Sequence, residues 1–432
     1  MHSISKLKNG INLITVPVKG TKAVTVLAMF PIGSRYENKK ISGASHFVEH
    51  LMFKGTKKRP TSLDISRELD AAGAHFNAFT YKDYTGYYVK IDGKQQKLAY
   101  DILSDMLFYS KFEPEEIEKE KGVITEEIRM YDDNPIMAVD NLFDKAMFGE
   151  HPLGWDIAGT EKSVKNITRD ELWDYYKSAY RPNNMVLVAA GDVDKKGIED
   201  LKKYFEKETP RSESIGKNCF QQNEFLKFFW PEKILPLEKR IEVGVRKVDQ
   251  AQVILGFPGL SYFDKKKYAA SVLLSILGGS MSSRLFVEVR EKRGLAYSIG
   301  AGSVWHLDVG AAQIQAGLDP ERLKEAVKVI KDELRKISSE LVGKKELAEA
   351  KSNISGRTVL SMEDSGAQAE LFAKQFWFSP KMETYEEVLK KIEKVTAVEA
   401  RDLAKQIFVL NKMRVAVIGP YGKKEILEIF KD

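Results

Sequence analysis

The chain of 432 residues has a single cysteine, Cys219, so it can form neither an internal disulfide nor a cysteine-ligated zinc centre. It has no run of eighteen apolar residues and no apolar stretch with a small-residue cleavage site near its start. The expectation is a cytoplasmic chain with no membrane partner. No block of five or six like charges occurs. With 68 basic residues against 62 acidic ones the formal charge is only +6, and lysines and glutamates mix as on solvated helix faces. A nucleic-acid partner would need a concentrated basic patch or a stacking platform, and the sequence has neither. Histidine is also scarce, with six residues, so a spaced pair of histidines carries information.

What is present describes a globular chain: 43% hydrophobic and 30% charged residues, long enough for two or three domains. Apolar patterning predicts strands at Val24–Phe30, Tyr84–Ile91 and Met185–Ala190. It predicts helices at Ser42–Phe53, Gln95–Tyr109, Pro114–Tyr131 and Arg169–Tyr180. The fold class is therefore α+β. The chain also repeats itself: Val164–Lys202 lies on Ile392–Phe430 without a gap, matching Thr168 to Thr396, Glu171 to Glu399, Asn183 to Asn411 and Gly191 to Gly419. Ile91–Leu103 lies on Leu318–Ile330 in a similar way. Two homologous domains follow, residues 1–215 and 239–432, joined through an irregular linker at 216–238.

His46-Phe47-Val48-Glu49-His50 carries the chemistry. Residues four apart on a helix sit one turn above each other, so both imidazoles reach one ion, while Glu49 stays near that face as a proton acceptor. A catalytic zinc needs a third protein ligand and an open fourth position. In the Pro114–Tyr131 helix, Ile117, Ile124, Ile128 and Tyr131 form an apolar stripe. Glu120 and Glu127 fall beside that stripe, two turns apart, and Glu126 points away. Glu127 is the ligand candidate, and Glu120 is a partner for a ligand histidine. Aligning Gly55 with Gly278 puts Ala269, Val272 and Leu273 at the positions of His46, Glu49 and His50, so the second half has no metal ligands there.

With these residues in place, the whole chain resembles the pitrilysin, insulin-degrading enzyme and mitochondrial processing peptidase family of inverted-motif zinc peptidases, in its short two-domain subtype. The resemblance covers the motif, Glu120 and Glu127. It also covers the stretch Gly73–Thr80, which is similar to the family's active-site edge strand. It implies one zinc ion per chain, a metalloendopeptidase activity on peptides or unfolded segments inside an enclosed chamber, and Glu49 as the activator of a zinc-bound water. By the same resemblance, Asn77 and Ala78 flank the scissile bond and Phe79 lines a pocket. Arg290 steadies the substrate backbone and Tyr297 supports the oxyanion. The short subtype further implies a clamshell homodimer of mostly antiparallel sheets packed with helices, with Arg290 and Tyr297 acting in trans.

Overall fold

The computed structural model describes residues 2–207 and 227–431. Cys219 and residues 216–226 of the expected linker lie outside the described residues. Contacts gather the chain into two units. The first comprises Met1–Ile128, Asp156–Leu226 and Leu360–Met382, and the second comprises Arg129–Trp155, Lys227–Val359 and Glu383–Asp432. The division expected from the repeat is contiguous; these units are not, because each takes a helical segment from the other stretch of chain.

Among the described residues, the first unit holds a six-stranded sheet of β1 (Ser3–Lys6), β2 (Asn12–Pro17), β3 (Ala23–Phe30), β4 (His75–Thr80), β5 (Thr85–Asp92) and β6 (Val186–Gly191). The strands run in the order β1-β2-β6-β3-β5-β4. Only β2 and β6 pair in parallel. The mostly apolar character of β3 and β6 follows from burial on both faces. Val24, Val26, Ala28 and Phe30 join the main core, which includes Phe47, Val48 and Leu51 of the helix Ala44–Leu51. Thr25, Leu27 and Met29 on the opposite face are also buried. The helix Ser365–Phe378 packs on β3 and β6 there through buried Ala369, Phe372 and Ala373. Thr25 Oγ1 and Ser365 Oγ, 2.8 Å apart, fix its start.

The second unit repeats the plan with β7 (Ile241–Val245), β8 (Ala251–Pro258), β9 (Ala296–Trp305), β10 (Gly310–Leu318) and β11 (Arg414–Gly419), in the order β7-β11-β8-β10-β9. Its one parallel pair, β7 with β11, corresponds to β2 with β6. The helix Lys267–Gly278 lies in its core, and the helix Pro135–Phe148 covers the other sheet face. There Val139, Phe143 and Met147 meet Ile254, Ala416 and Ile418. Phe143 lies so close over β8 that a Cβ on Gly256 would come within 2.2 Å of its ring.

The repeat is visible down to the caps. Thr168 with Glu171 and Thr396 with Glu399 each form a capping box at the start of matching helices, Arg169–Ala179 and Ala397–Ile407.

Because Phe372 is 5% exposed under a helix that closes one face of the first sheet, Phe372→Ala is expected to cost about 3–5 kcal/mol of stability. Calorimetry of the full chain checks this, and an unchanged unfolding profile would show that the helix is dispensable to that sheet.

Candidate metal centre

The helix Ala44–Leu51 turns Ala44, Phe47, Val48 and Leu51 into the core and leaves His46, Glu49 and His50 on its other side. It begins without a side-chain cap of its own. Gly43, at φ +97°, makes the entry, and a Cβ there would come within 2.5 Å of the Ala158 carbonyl oxygen. The cap comes from upstream. The carboxylate of buried Glu37 accepts the backbone N–H groups of Gly43 and Ser45, both at 2.7 Å. Burial pushes Glu37 up to about 7 even though these donors pull the other way. Ser45 Oγ and Tyr175 Oη, 2.6 Å apart, add a tie to the helix Arg169–Ala179. The chain leaving the motif helix is held by Arg59, which pairs with Glu68, Asp101 and Asp105.

The helix Pro114–Asp133 presents Glu120 and Glu127 to the motif. His50 Nε2 lies 3.3 Å from His46 Nε2 and 3.4 Å from Glu127 Oε2, and His46 Nε2 lies 3.7 Å from the same oxygen. Two nitrogen ligands at zinc distance and tetrahedral angle stand about 3.3 Å apart, so these three atoms can share one ion. A donor set of two imidazoles and one carboxylate also suits zinc. His50 Nδ1 meets Glu120 Oε2 at 2.9 Å, and Glu120 Oε1 accepts from Lys54 Nζ at 2.5 Å. Glu120 therefore fixes the ring through which His50 faces His46 and Glu127.

The charges follow from these contacts. Burial, then the neighbouring His50, holds His46 below the ordinary histidine range. Burial also depresses His50, but its hydrogen bonds to the Glu120 and Glu127 carboxylates outweigh it and raise His50 to about 9. His50 is the main cause holding Glu127 low. Burial would raise Glu120, but His50 and Lys54 more than offset it. The pocket thus favours positive charge between two carboxylates.

The remaining expected site residues fall in two places. His75–Thr80 forms β4, the edge of the first sheet, with β5 on one side only. The Ala78 N–H donates to the Asn77 Oδ1 beside it, at 2.9 Å. The Phe79 ring lies over Gly86, where a Cβ would come within 2.3 Å, with its centroid 5.8 Å from that of Tyr81. Thr80 Oγ1 donates to Glu49 Oε2 at 2.5 Å, and burial raises the Glu49 carboxyl against that bond. Arg290 and Tyr297 belong to the second unit. The guanidinium of Arg290 stacks over the rings of Phe286 and Tyr297, at 4.7 and 5.7 Å, and Tyr297 is 71% exposed at the start of β9. Arg293 is engaged by Glu288 at 2.7 Å. In the second unit Val272 and Leu273 are fully buried, as apolar replacements for Glu49 and His50.

Sequence reasoning did not find Glu37, Lys54 or Thr80. Thr80 sits two residues after Ala78 and so shares its strand face, whereas Lys54 lies past the end of the motif helix at Leu51, where helical spacing gives no direction. Neither position names its partner.

The family profile described as insulinase (peptidase family M16) matches residues 14–161, and the one described as peptidase M16 inactive domain matches residues 166–354. An uncharacterized zinc protease of Streptomyces coelicolor is 35% identical, over 97% of this chain and 90% of its own length. One from Bacillus subtilis is 33% identical, over 96% and 97%. Among solved structures, a protease from Helicobacter pylori superposes with a TM-score of 0.85 at 23% identity, over 97% of this chain and 99% of that one. An M16-like peptidase from Alicyclobacillus acidocaldarius gives 0.81 at 21% identity, over 98% of each. At these identities the structures speak for the fold alone. Among the described residues no helix is long and apolar enough to cross a membrane.

Two outcomes follow. Because the folded Glu37 value lies above its ordinary 4.5, its stabilising contribution is full below that pH and is lost as pH rises through about 7. The melting temperature of wild type relative to Glu37→Gln should therefore fall between about pH 5 and pH 8; a constant difference would show that Glu37 titrates like an exposed carboxyl. Separately, Glu120→Gln should weaken zinc binding by about 10- to 100-fold. Competition with a chromogenic chelator measures this, and unchanged affinity would remove Glu120 from the support of His50.

Proposed function

The chain belongs to peptidase family M16, and on that footing we propose that it is a zinc-dependent endopeptidase in which His46, His50 and Glu127 hold the ion and Glu49 is the general base. The observation that carries this reading is the convergence of three donor atoms at 3.3, 3.4 and 3.7 Å, two from the helix that also bears Glu49 and one from the helix Pro114–Asp133. The profile described as an inactive domain covers residues 166–354 and includes none of these four residues.

Zinc bound by this set would lower the pKa of a water and polarise the scissile carbonyl. Glu49 takes the water's proton and delivers it to the leaving amine as the peptide bond breaks. The edge of β4 receives the substrate as an added strand. Main-chain hydrogen bonds then supply affinity with little regard for sequence, which suits peptides and unfolded segments. On this reading the Ala78 N–H exchanges its Asn77 acceptor for a substrate carbonyl, so Asn77 and Ala78 flank the scissile bond. Phe79 lines a side-chain pocket. Arg290 steadies the substrate backbone and Tyr297 supports the oxyanion. In this proposal two chains close as a homodimeric clamshell around a chamber, and each supplies Arg290 and Tyr297 to the other.

Purified wild type and Glu49→Gln should both hold about one zinc per chain, with cleavage of a quenched fluorescent peptide only in wild type. Stoichiometric zinc with no cleavage of any peptide by wild type would make the chain a silent member of its family, and no zinc at all would remove the metal assignment. Mixing Arg290→Ala with Glu49→Gln chains should restore part of the activity in mixed dimers. No rescue in stable mixed dimers would exclude action in trans.

A further inference from the structure

We propose that Thr80 is a positioning residue for the general base and that it ties the orientation of Glu49 to the strand on which the substrate docks. The inference rests on the peptidase reading above and goes beyond its residue assignments. Thr80 Oγ1 donates to Glu49 Oε2 at 2.5 Å, a length typical of a hydroxyl bonded to an ionised carboxylate. A glutamate on a helix has three side-chain torsions to order, and among the described residues Thr80 is the hydrogen-bond donor to this one. With Oε2 engaged, Oε1 is the oxygen that takes the proton. In the step, a water O–H bond breaks and its proton moves to Glu49 Oε1. The water oxygen bonds to the scissile carbonyl carbon, the same proton passes to the amine nitrogen as the C–N bond breaks, and Thr80 keeps its own proton throughout.

The hydroxyl comes from a braced support. Thr80 ends β4, and the turn that follows closes with Tyr81 N–H donating to the Tyr84 carbonyl at 2.8 Å. An upstream loop grips that turn: Ser34 N–H donates to the Tyr81 carbonyl and Arg35 N–H to the Lys82 carbonyl, at 3.2 and 3.0 Å. The Arg35 guanidinium meets Asp83 at 2.7 Å, with both side chains only 2% exposed. A buried pair of this kind is costly to break, so the turn holds Thr80 in place. Thr80 also lies on the strand face of Ala78, two residues along, and Ala78 belongs to the edge that receives the substrate backbone. One strand thus sets both the substrate and the base, so the base oxygen stays in register with the bond to be cut.

The test compares Thr80→Val, which keeps the shape and loses the donor, with Thr80→Ser, which keeps the donor. Both are assayed for zinc content and for kcat and KM on a quenched fluorescent peptide. Thr80→Val should keep its zinc, lose about tenfold in kcat and leave KM within about twofold, and Thr80→Ser should return kcat to within about threefold of wild type. A thermal double-mutant cycle with Glu49→Ala should show melting-temperature losses that do not add. An active wild type matched in kcat by Thr80→Val would overturn the proposal while leaving the peptidase reading intact, and so would a change confined to KM, or additive thermal losses. A wild type that cleaves no peptide would overturn the peptidase reading, and this inference with it.

Discussion

Two imidazoles and two carboxylates share a partly buried face of the first unit, and none of them could sit there alone without a large desolvation cost. Glu120 is tolerated because Lys54 and His50 both meet it, and Glu127 because it faces the two histidines. This shared dependence ties the motif helix to the helix Pro114–Asp133. The motif helix is anchored at its start by the Glu37 cap and beyond its end by the Arg59 cluster. Stability is thereby traded for a prearranged charge pattern, which is what a metal or a charged transition state requires.

Much of this was legible in the sequence, for identifiable reasons. The i, i+4 histidines needed no structure to be placed on one helix face. The apolar stripe of Ile117, Ile124 and Ile128 set the phase of the helix Pro114–Asp133, and so pointed Glu120 and Glu127 inward. The repeat implied two homologous domains, the two sheets share a strand order, and the threonine and glutamate pairs of the repeat became matching capping boxes. Side-chain bonds between distant segments were not legible. Nothing in Thr80, Lys54 or Glu37 names Glu49, Glu120 or the N–H groups of Gly43 and Ser45 as its partner. Only the folded chain brings them within reach.

The division of the chain was the other illegible feature. The mostly apolar sequences of β3 and β8 announce burial on both faces. They do not say which helix supplies the second cover. A contiguous split is the simplest reading of a duplicated sequence, yet Ser365–Phe378 packs on the first sheet and Pro135–Phe148 on the second. After duplication the two halves kept the same strand order and diverged at the motif positions. Val272 and Leu273 became core residues where the first half keeps Glu49 and His50.

This exchange of helices has a consequence for the chain's synthesis. The strands of the first sheet all leave the ribosome before residues 360–382 are translated, so the outer face of β3 and β6 stays uncovered while most of the second unit is made. The helix Pro135–Phe148 emerges early in turn, with its apolar side waiting for β8 and β11. Neither half of the sequence can complete its own sheet's cover, because each half carries the helix that packs on the other half's sheet. Completion of both sheets therefore waits on contacts between segments far apart in the chain.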